Sequence, residues 1–177
     1  MSTEIVFETH SWSEDNDRGI ATGWLPGRLS ERGRALAREL GERRRDDGIT
    51  TVFTSDLRRA VETAEIAFAG TDLPVLHDRR LRECNYGAYN GMPAAALHRD
   101  RERHLDQPYL NGESWMQAIR RVGTFLDDLP RHSDGRRILI IGHVATRWAL
   151  DHLLDGAPVQ TLITADFGWR EGWEYRT

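Results

Sequence analysis

The chain has 177 residues, 39% hydrophobic and 29% charged, with a formal net charge of −4. These are the proportions of one folded domain rather than a disordered tract, and the mild acidity gives nucleic acid or an anionic membrane no electrostatic hold. All 24 basic residues are arginine, which excludes P-loop, Schiff-base and kinase-type lysine chemistry and leaves any anion to the planar guanidinium fork.

Glu4 to His10 alternates around Ile5 and Phe7 and predicts a first strand. A polar loop follows, with its turn residues at Leu25-Pro26-Gly27. Ser30 predicts the N-cap of a helix carrying Ala35, Leu36 and Leu40 and ending near Gly48. Ile49 to Thr54, β-branched and apolar, predicts a buried strand. Ser55 and Asp56 then cap a helix with Leu57, Val61, Ala64 and Phe68 on one face, stopped by Gly70. Leu73 to Leu76 is a short strand, and Arg82 to Gly91 is irregular. Pro93 opens a helix to about Arg103, and Ser114 with Gln117 forms a capping box for a helix from Trp115 to Leu129. Arg137 to Gly142 contains Ile-Leu-Ile-Ile, the strongest strand signal in the chain, with His143 at its end and a helix over Thr146 to Leu154. The tail from Phe167 to Tyr175 is aromatic and reads as a final strand or loop.

Strands alternating with helices predict an α/β fold, a mostly parallel central sheet with helices on both faces, formed by residues 1–177 as one domain. The single cysteine, Cys84, leaves no internal disulfide and no Cys-rich zinc site. No stretch approaches the roughly 20 apolar residues of a membrane span, and the N-terminus lacks a basic region followed by an apolar run. The expected location is cytoplasmic.

In an open parallel sheet the ligand crevice lies beyond the carboxyl ends of the strands. His10, Ser55 and His143 all fall just past such ends. Taken singly, each histidine reads more readily as structural; two on one rim point to a site. The helices opening after Ser55 and His143 offer free N–H groups to an anion. Arg58 and Arg59 stand in a first turn, where the helix dipole disfavours them unless an anion is present.

The run Thr54-Ser55-Asp56-Leu57-Arg58-Arg59-Ala60-Val61-Glu62-Thr63-Ala64 resembles the second motif of the histidine phosphatase superfamily, the phosphoglycerate-mutase-like enzymes. Arg80-Leu81-Arg82-Glu83, with Tyr86-Gly87 and Gly91, resembles that family's acid-bearing segment. Asn111-Gly112-Glu113-Ser114 is similar to its Gly-Glu-Ser motif, and Ile140-Ile141-Gly142-His143 to its second histidine. The resemblance runs in order over nearly the whole chain and implies a phosphatase working through a phosphohistidine on His10. It implies Glu83 as general acid, and His143 as the second catalytic histidine. It further implies Asn16, Thr22, Gly23, Arg59 and the backbone of Ala145 on the substrate, a small phosphorylated compound. It implies no metal and no organic cofactor, no nucleic acid and no membrane, and leaves a homodimer open. Read without the resemblance, Glu83 is a surface carboxylate paired with Arg80 or Arg82.

The match breaks at the nucleophile. The family's Arg-His-Gly is Thr9-His10-Ser11 here, and Val144 stands where a glycine is usual. Arg18 and Arg147 are the arginines expected to compensate. The segment from Gly91 to Asn111 shows no equivalent of the groups by which mutases recognise a sugar acid, which favours a phosphatase over a mutase. Trp12, Trp24, Tyr86 and Tyr109 are expected either to line a pocket or to serve as packing. The competing readings are a non-catalytic phosphate-ester-binding module and a metal-dependent hydrolase using His10, Asp15 and His143. A serine hydrolase lacks its Gly-x-Ser-x-Gly elbow.

Overall fold

A computed structural model describes residues 2–129 and 135–177. Five strands form one sheet in the order β3-β2-β4-β1-β5: β1 (Glu4–Thr9), β2 (Thr51–Thr54), β3 (Val75–His77), β4 (Arg137–Gly142) and β5 (Trp173–Arg176). The first four are mutually parallel, and β5 alone runs antiparallel, along β1. The described helices are α1 (Glu14–Asp17), α2 (Glu31–Arg44), α3 (Arg58–Ala67), α4 (Ala94–Asp100), α5 (Trp115–Asp128), α6 (Val144–Leu153) and α7 (Val159–Thr164).

Side chains alternate across a strand, and a central parallel strand is covered on both faces. Ile5 and Phe7 of β1 and Ile138 and Ile140 of β4 therefore join Ile119, Val122 and Phe125 of α5 and Leu150 of α6. Val6, Leu139 and Ile141 turn the other way, onto Leu40 of α2 and Ala60, Ala64 and Ala67 of α3. This is the expected mostly parallel sheet with helices on both faces. Among the described residues no helix is long and apolar enough to cross a membrane.

Several local expectations shift. Of the expected stripe, Leu57, Ala64 and Phe68 are buried and Val61 is half-buried; the inward face of α3 extends instead through Arg59, Ala60, Thr63 and Ala67. The small alanines let α3 lie against α2, where a Cβ on Gly41 would overlap the Ala67 carbonyl. That rotation buries Arg59 and Thr63. Ser55 is not the N-cap of α3: Leu57 holds that position, and its apolar side chain makes no cap bond. β3 starts at Val75 because the ladder with β2 opens at the Pro74 carbonyl. α6 begins at Val144, two residues before the expected Thr146. The short helices α1 and α7 had no apolar period to announce them, although Ser13 and Asn16 form a full capping box around α1.

Candidate active site

The register of the sheet assembles the site. Thr9 pairs with Gly142, and the His10 N–H bonds the Gly142 carbonyl at 2.9 Å, so the next residues of β1 and β4, His10 and His143, stand side by side. Thr54 pairs with Ile141, which sets Ser55 beyond β2 next to His143. The two imidazole centroids are 5.1 Å apart.

His10 is oriented through its Nδ1, 2.7 Å from the Ser11 carbonyl. A carbonyl only accepts, so Nδ1 carries the proton and Nε2 keeps its lone pair. Burial, helped by the Arg59 charge, pulls the His10 pKa from 6.5 to about 3, and the ring is neutral at physiological pH. The turn is pinned on both sides: Ser11 N–H donates to Thr63 Oγ1 at 2.9 Å, and Ser11 Oγ to the Gly33 carbonyl at 2.6 Å. Thr63 in turn donates to the Arg59 carbonyl at 2.7 Å. Sequence reasoning gave Thr63 and Ser11 no such role. Their signal was small polar residues facing inward.

His143 is only 1% exposed. Its Nε2 lies 2.7 Å from Ser55 Oγ, which also accepts the Leu57 N–H at 3.3 Å. With the Ser55 hydroxyl assigned as donor to His143 Nε2, the imidazole proton sits on Nδ1. That Nδ1 is buried and has no partner among the described residues. Burial, then the charge of Arg59, lowers the His143 pKa well below its usual value.

Arg59 is 2% exposed. Its Nη2 donates to the Gly23 carbonyl at 2.9 Å, while Nη1 is buried without an acceptor. Gly23 has φ 55°, and a Cβ there would overlap the Asn90 side chain, so the loop that receives Arg59 needs glycine. A buried guanidinium with an idle donor is a costly arrangement unless an anion completes it.

Glu83 is not paired with its neighbouring arginines. Arg82 binds Asp56 at 2.6 Å, and Arg80 binds Asp78 and Asp128. The Glu83 carboxylate is 8% exposed and rests on the start of α6: Oε1 accepts from Ala145 N at 3.0 Å and Cys84 N at 2.9 Å, and Oε2 from Val144 N at 3.3 Å. Burial raises its pKa, outweighing these N–H bonds and the Arg59 charge. The α6 N-terminus thus holds the acid. Ala145, expected to offer its N–H to substrate, gives it to Glu83 instead. The Glu83 carbonyl is fixed by Trp24 Nε1 at 2.6 Å and by Arg121 at 3.1 Å. Arg121 also grips Glu113 of the Gly-Glu-Ser segment at 2.8 Å, so that carboxylate serves the scaffold.

His10, Arg59, Glu83 and His143 face one cavity of about 490 Å³. The model of the histidine phosphatase superfamily, branch 1, matches residues 5–167. The chain belongs to the histidine phosphatase superfamily. A 2,3-bisphosphoglycerate-dependent phosphoglycerate mutase of Methylobacterium sp. (strain 4-46) is 34% identical, over 92% of this chain and 85% of that protein. A protein of the same name from Corynebacterium diphtheriae is 36% identical over 71% of this chain, and the match spans 50% of that protein. Among solved structures, Bacillus stearothermophilus YhfR superposes with a TM-score of 0.85 at 23% identity, covering 97% and 90% of the two chains. A mycobacterial glucosyl-3-phosphoglycerate phosphatase superposes with a TM-score of 0.79 at 26% identity, covering 92% and 87%.

The other expected residues of this superfamily member divide. Asn16, Thr22 and Gly23 line the cavity. Asn16 Oδ1 is engaged by the Ser13 N–H at 2.9 Å, and Thr22 donates to Asp15 at 2.8 Å. Trp12 and Tyr86 are on the wall, whereas Trp24 stacks against Arg82 and Tyr109 against His104. Neither arginine expected to stand in beside Thr9 does so. The Arg18 side chain is 68% exposed and pairs with Asp15, and Arg147 lies over Trp173 and pairs with Asp151 at 3.1 Å. The arginines on the cavity wall are Arg32, Arg43 and Arg59. Among the described residues no His, Cys, Asp and Glu cluster has the make-up of a metal site.

Proposed function

We propose that the protein hydrolyses a small phosphate ester through a phosphohistidine on His10. The observation that carries this reading is the meeting of a neutral His10, its Nδ1 proton held by the Ser11 carbonyl, with two buried nitrogens that have no partner among the described residues, Arg59 Nη1 and His143 Nδ1. His10 Nε2 attacks phosphorus in line, and the phosphorus–oxygen bond to the leaving group breaks. The two idle donors take the phosphoryl oxygens as negative charge builds on them. Glu83, whose pKa burial raises, is placed to give a proton to the leaving oxygen. It then takes one from water as water displaces His10.

The part of the wall formed after Gly91 supports hydrolysis over transfer to a sugar acid. It presents Ala94, Leu97 and His98, with no arginine from this segment; Arg101 is spent on the Ile163 and Ala165 carbonyls. A phosphoglycerate-type mutase is the second reading, favoured by the names of the sequence relatives. Hydrolysis of 4-nitrophenyl phosphate with chelator present, by wild type and His10→Ala, tests the proposal. Equal rates in the two would reject it. Phosphoryl transfer between hydroxyls of a phosphoglycerate without phosphate release would select the mutase.

A further inference from the structure

A phosphodiester differs from the dianion of a monoester in two respects: it carries one negative charge fewer and one substituent more. The surroundings of His10 fit the diester in both.

The charge follows from counting committed groups. Arg59 is the buried guanidinium with an idle donor on the cavity wall. Arg43 is spent on Glu8 through Nε and Nη2, 3.2 Å each. Arg32, one turn before Leu36 on the same face of α2, is exposed to solvent, where its charge is screened, with its guanidinium 4.9 Å from the Trp12 ring. Glu39 adds a carboxylate on this wall. One buried cation balances a monoanionic phosphoryl group and leaves half of a dianion uncompensated.

The space follows from Thr9. β5 pairs with β1 only as far as Phe7 opposite Trp173; beyond it Glu8 is buried under Arg43 and Arg44, and Thr9 puts a short side chain on the cavity wall. The cavity continues there along one face of α2, through Leu36 and Leu40 at helical spacing, to Phe167 and Trp169 in the tail. Its edge carries two solvent-facing tryptophans, Trp12 at 38% and Trp169 at 58% exposure.

We propose that the substrate class is a phosphodiester whose non-leaving ester group, apolar or aromatic, occupies the lobe beyond Thr9. This rests on the phosphohistidine reading and narrows it. His10 Nε2 forms the bond to phosphorus, and the bond to the leaving oxygen breaks with a proton from Glu83. Water then attacks phosphorus, returns a proton to Glu83 and frees His10. The products are an alcohol or phenol and a phosphomonoester, whose second charge the single Arg59 holds poorly, favouring its release.

The test compares bis(4-nitrophenyl) phosphate with 4-nitrophenyl phosphate, chelator present, in wild type, His10→Ala, Thr9→Arg and Leu36→Trp. Wild type is expected to turn over the diester with a kcat/KM at least equal to that for the monoester, in a reaction that His10→Ala abolishes, giving 4-nitrophenyl phosphate as first product. Thr9→Arg adds a cation and fills the lobe, and should lower the diester-to-monoester ratio by about tenfold or more. Leu36→Trp fills it without charge and should move the ratio the same way by less. Monoester turnover that needs His10, without diester turnover, overturns this inference and spares the phosphohistidine. So does an unmoved ratio in folded Thr9→Arg. If Thr9→Arg does not fold, the wild-type ratio and Leu36→Trp decide by the same criteria. Equal rates in wild type and His10→Ala would reject both readings.

Discussion

The two ends of the sheet treat charge in opposite ways. At the amino ends of β1 and β4, Arg137 binds Glu174 at 2.8 Å, Asp47 at 3.2 Å and Glu4 at 3.4 Å, and Arg176 binds Glu4 at 2.7 Å. Every one of these guanidinium groups faces carboxylates near water. At the carboxyl ends, Arg59 is sealed from solvent with a carbonyl on one nitrogen and nothing on another. The histidines beside it are held neutral by burial. Stability alone favours the first arrangement. The second makes sense where a ligand supplies the missing anion, and this locates function without reference to any motif.

The contrast can be broken at several points. His10→Ala should remove phosphoester turnover, by about 10⁴-fold or more in kcat, while circular dichroism shows an intact fold. Glu83→Gln should lower kcat by roughly 10²–10⁴. It should also erase the alkaline fall of the pH profile, because that limb reports loss of the Glu83 proton above its raised pKa.

A matched pair sharpens the comparison of the two ends. Arg59→Met should cost about 10²–10³ in kcat/KM with unfolding stability kept or raised, since it removes an uncompensated buried charge. Arg137→Met should leave kcat/KM unchanged and lower stability by about 1 kcal/mol or less. Ser55→Ala should cost about tenfold in kcat/KM by freeing the His143 tautomer, an effect of positioning through its partner. Ser55→Thr, which keeps the hydroxyl, should recover part of the loss.

A separate effect is on stability against pH. Above 6.5 His10 is neutral folded or unfolded. Below it the unfolded chain takes up a proton that the folded ring, with its pKa near 3, refuses. Stability therefore falls as pH drops from 6.5 toward 3, by about 1.4 kcal/mol per pH unit for this residue. Urea melts of wild type and His10→Ala over that range should show a shallower dependence in the variant.

The fold was legible because its signals are strong and local. Ile138 to Ile141 can only be a strand covered on both faces, and the alternation of Ile5, Val6 and Phe7 splits the two cores in the same way. His10 and His143 were legible because strand ends in a parallel sheet share a rim; Arg59 was one of two arginines in the first turn of the next helix, and Glu83 came from the family resemblance alone. What stayed hidden depended on long-range partners. Nothing near Ala145 says that its N–H will meet Glu83, 62 positions away. Nothing near Ser55 says that its hydroxyl will also reach His143, 88 positions away. The turn of α3 that buries Arg59 is set by Ala60, Ala64 and Ala67 against α2, which a single-helix pattern does not contain.

The most direct measurement is mass spectrometry of protein mixed rapidly with a phosphoester and quenched in alkali, where phosphohistidine survives. The account predicts one phosphoryl group on the peptide holding His10, present in wild type and Glu83→Gln and missing in His10→Ala. A phosphoryl group on another residue, or full turnover by His10→Ala, would contradict it.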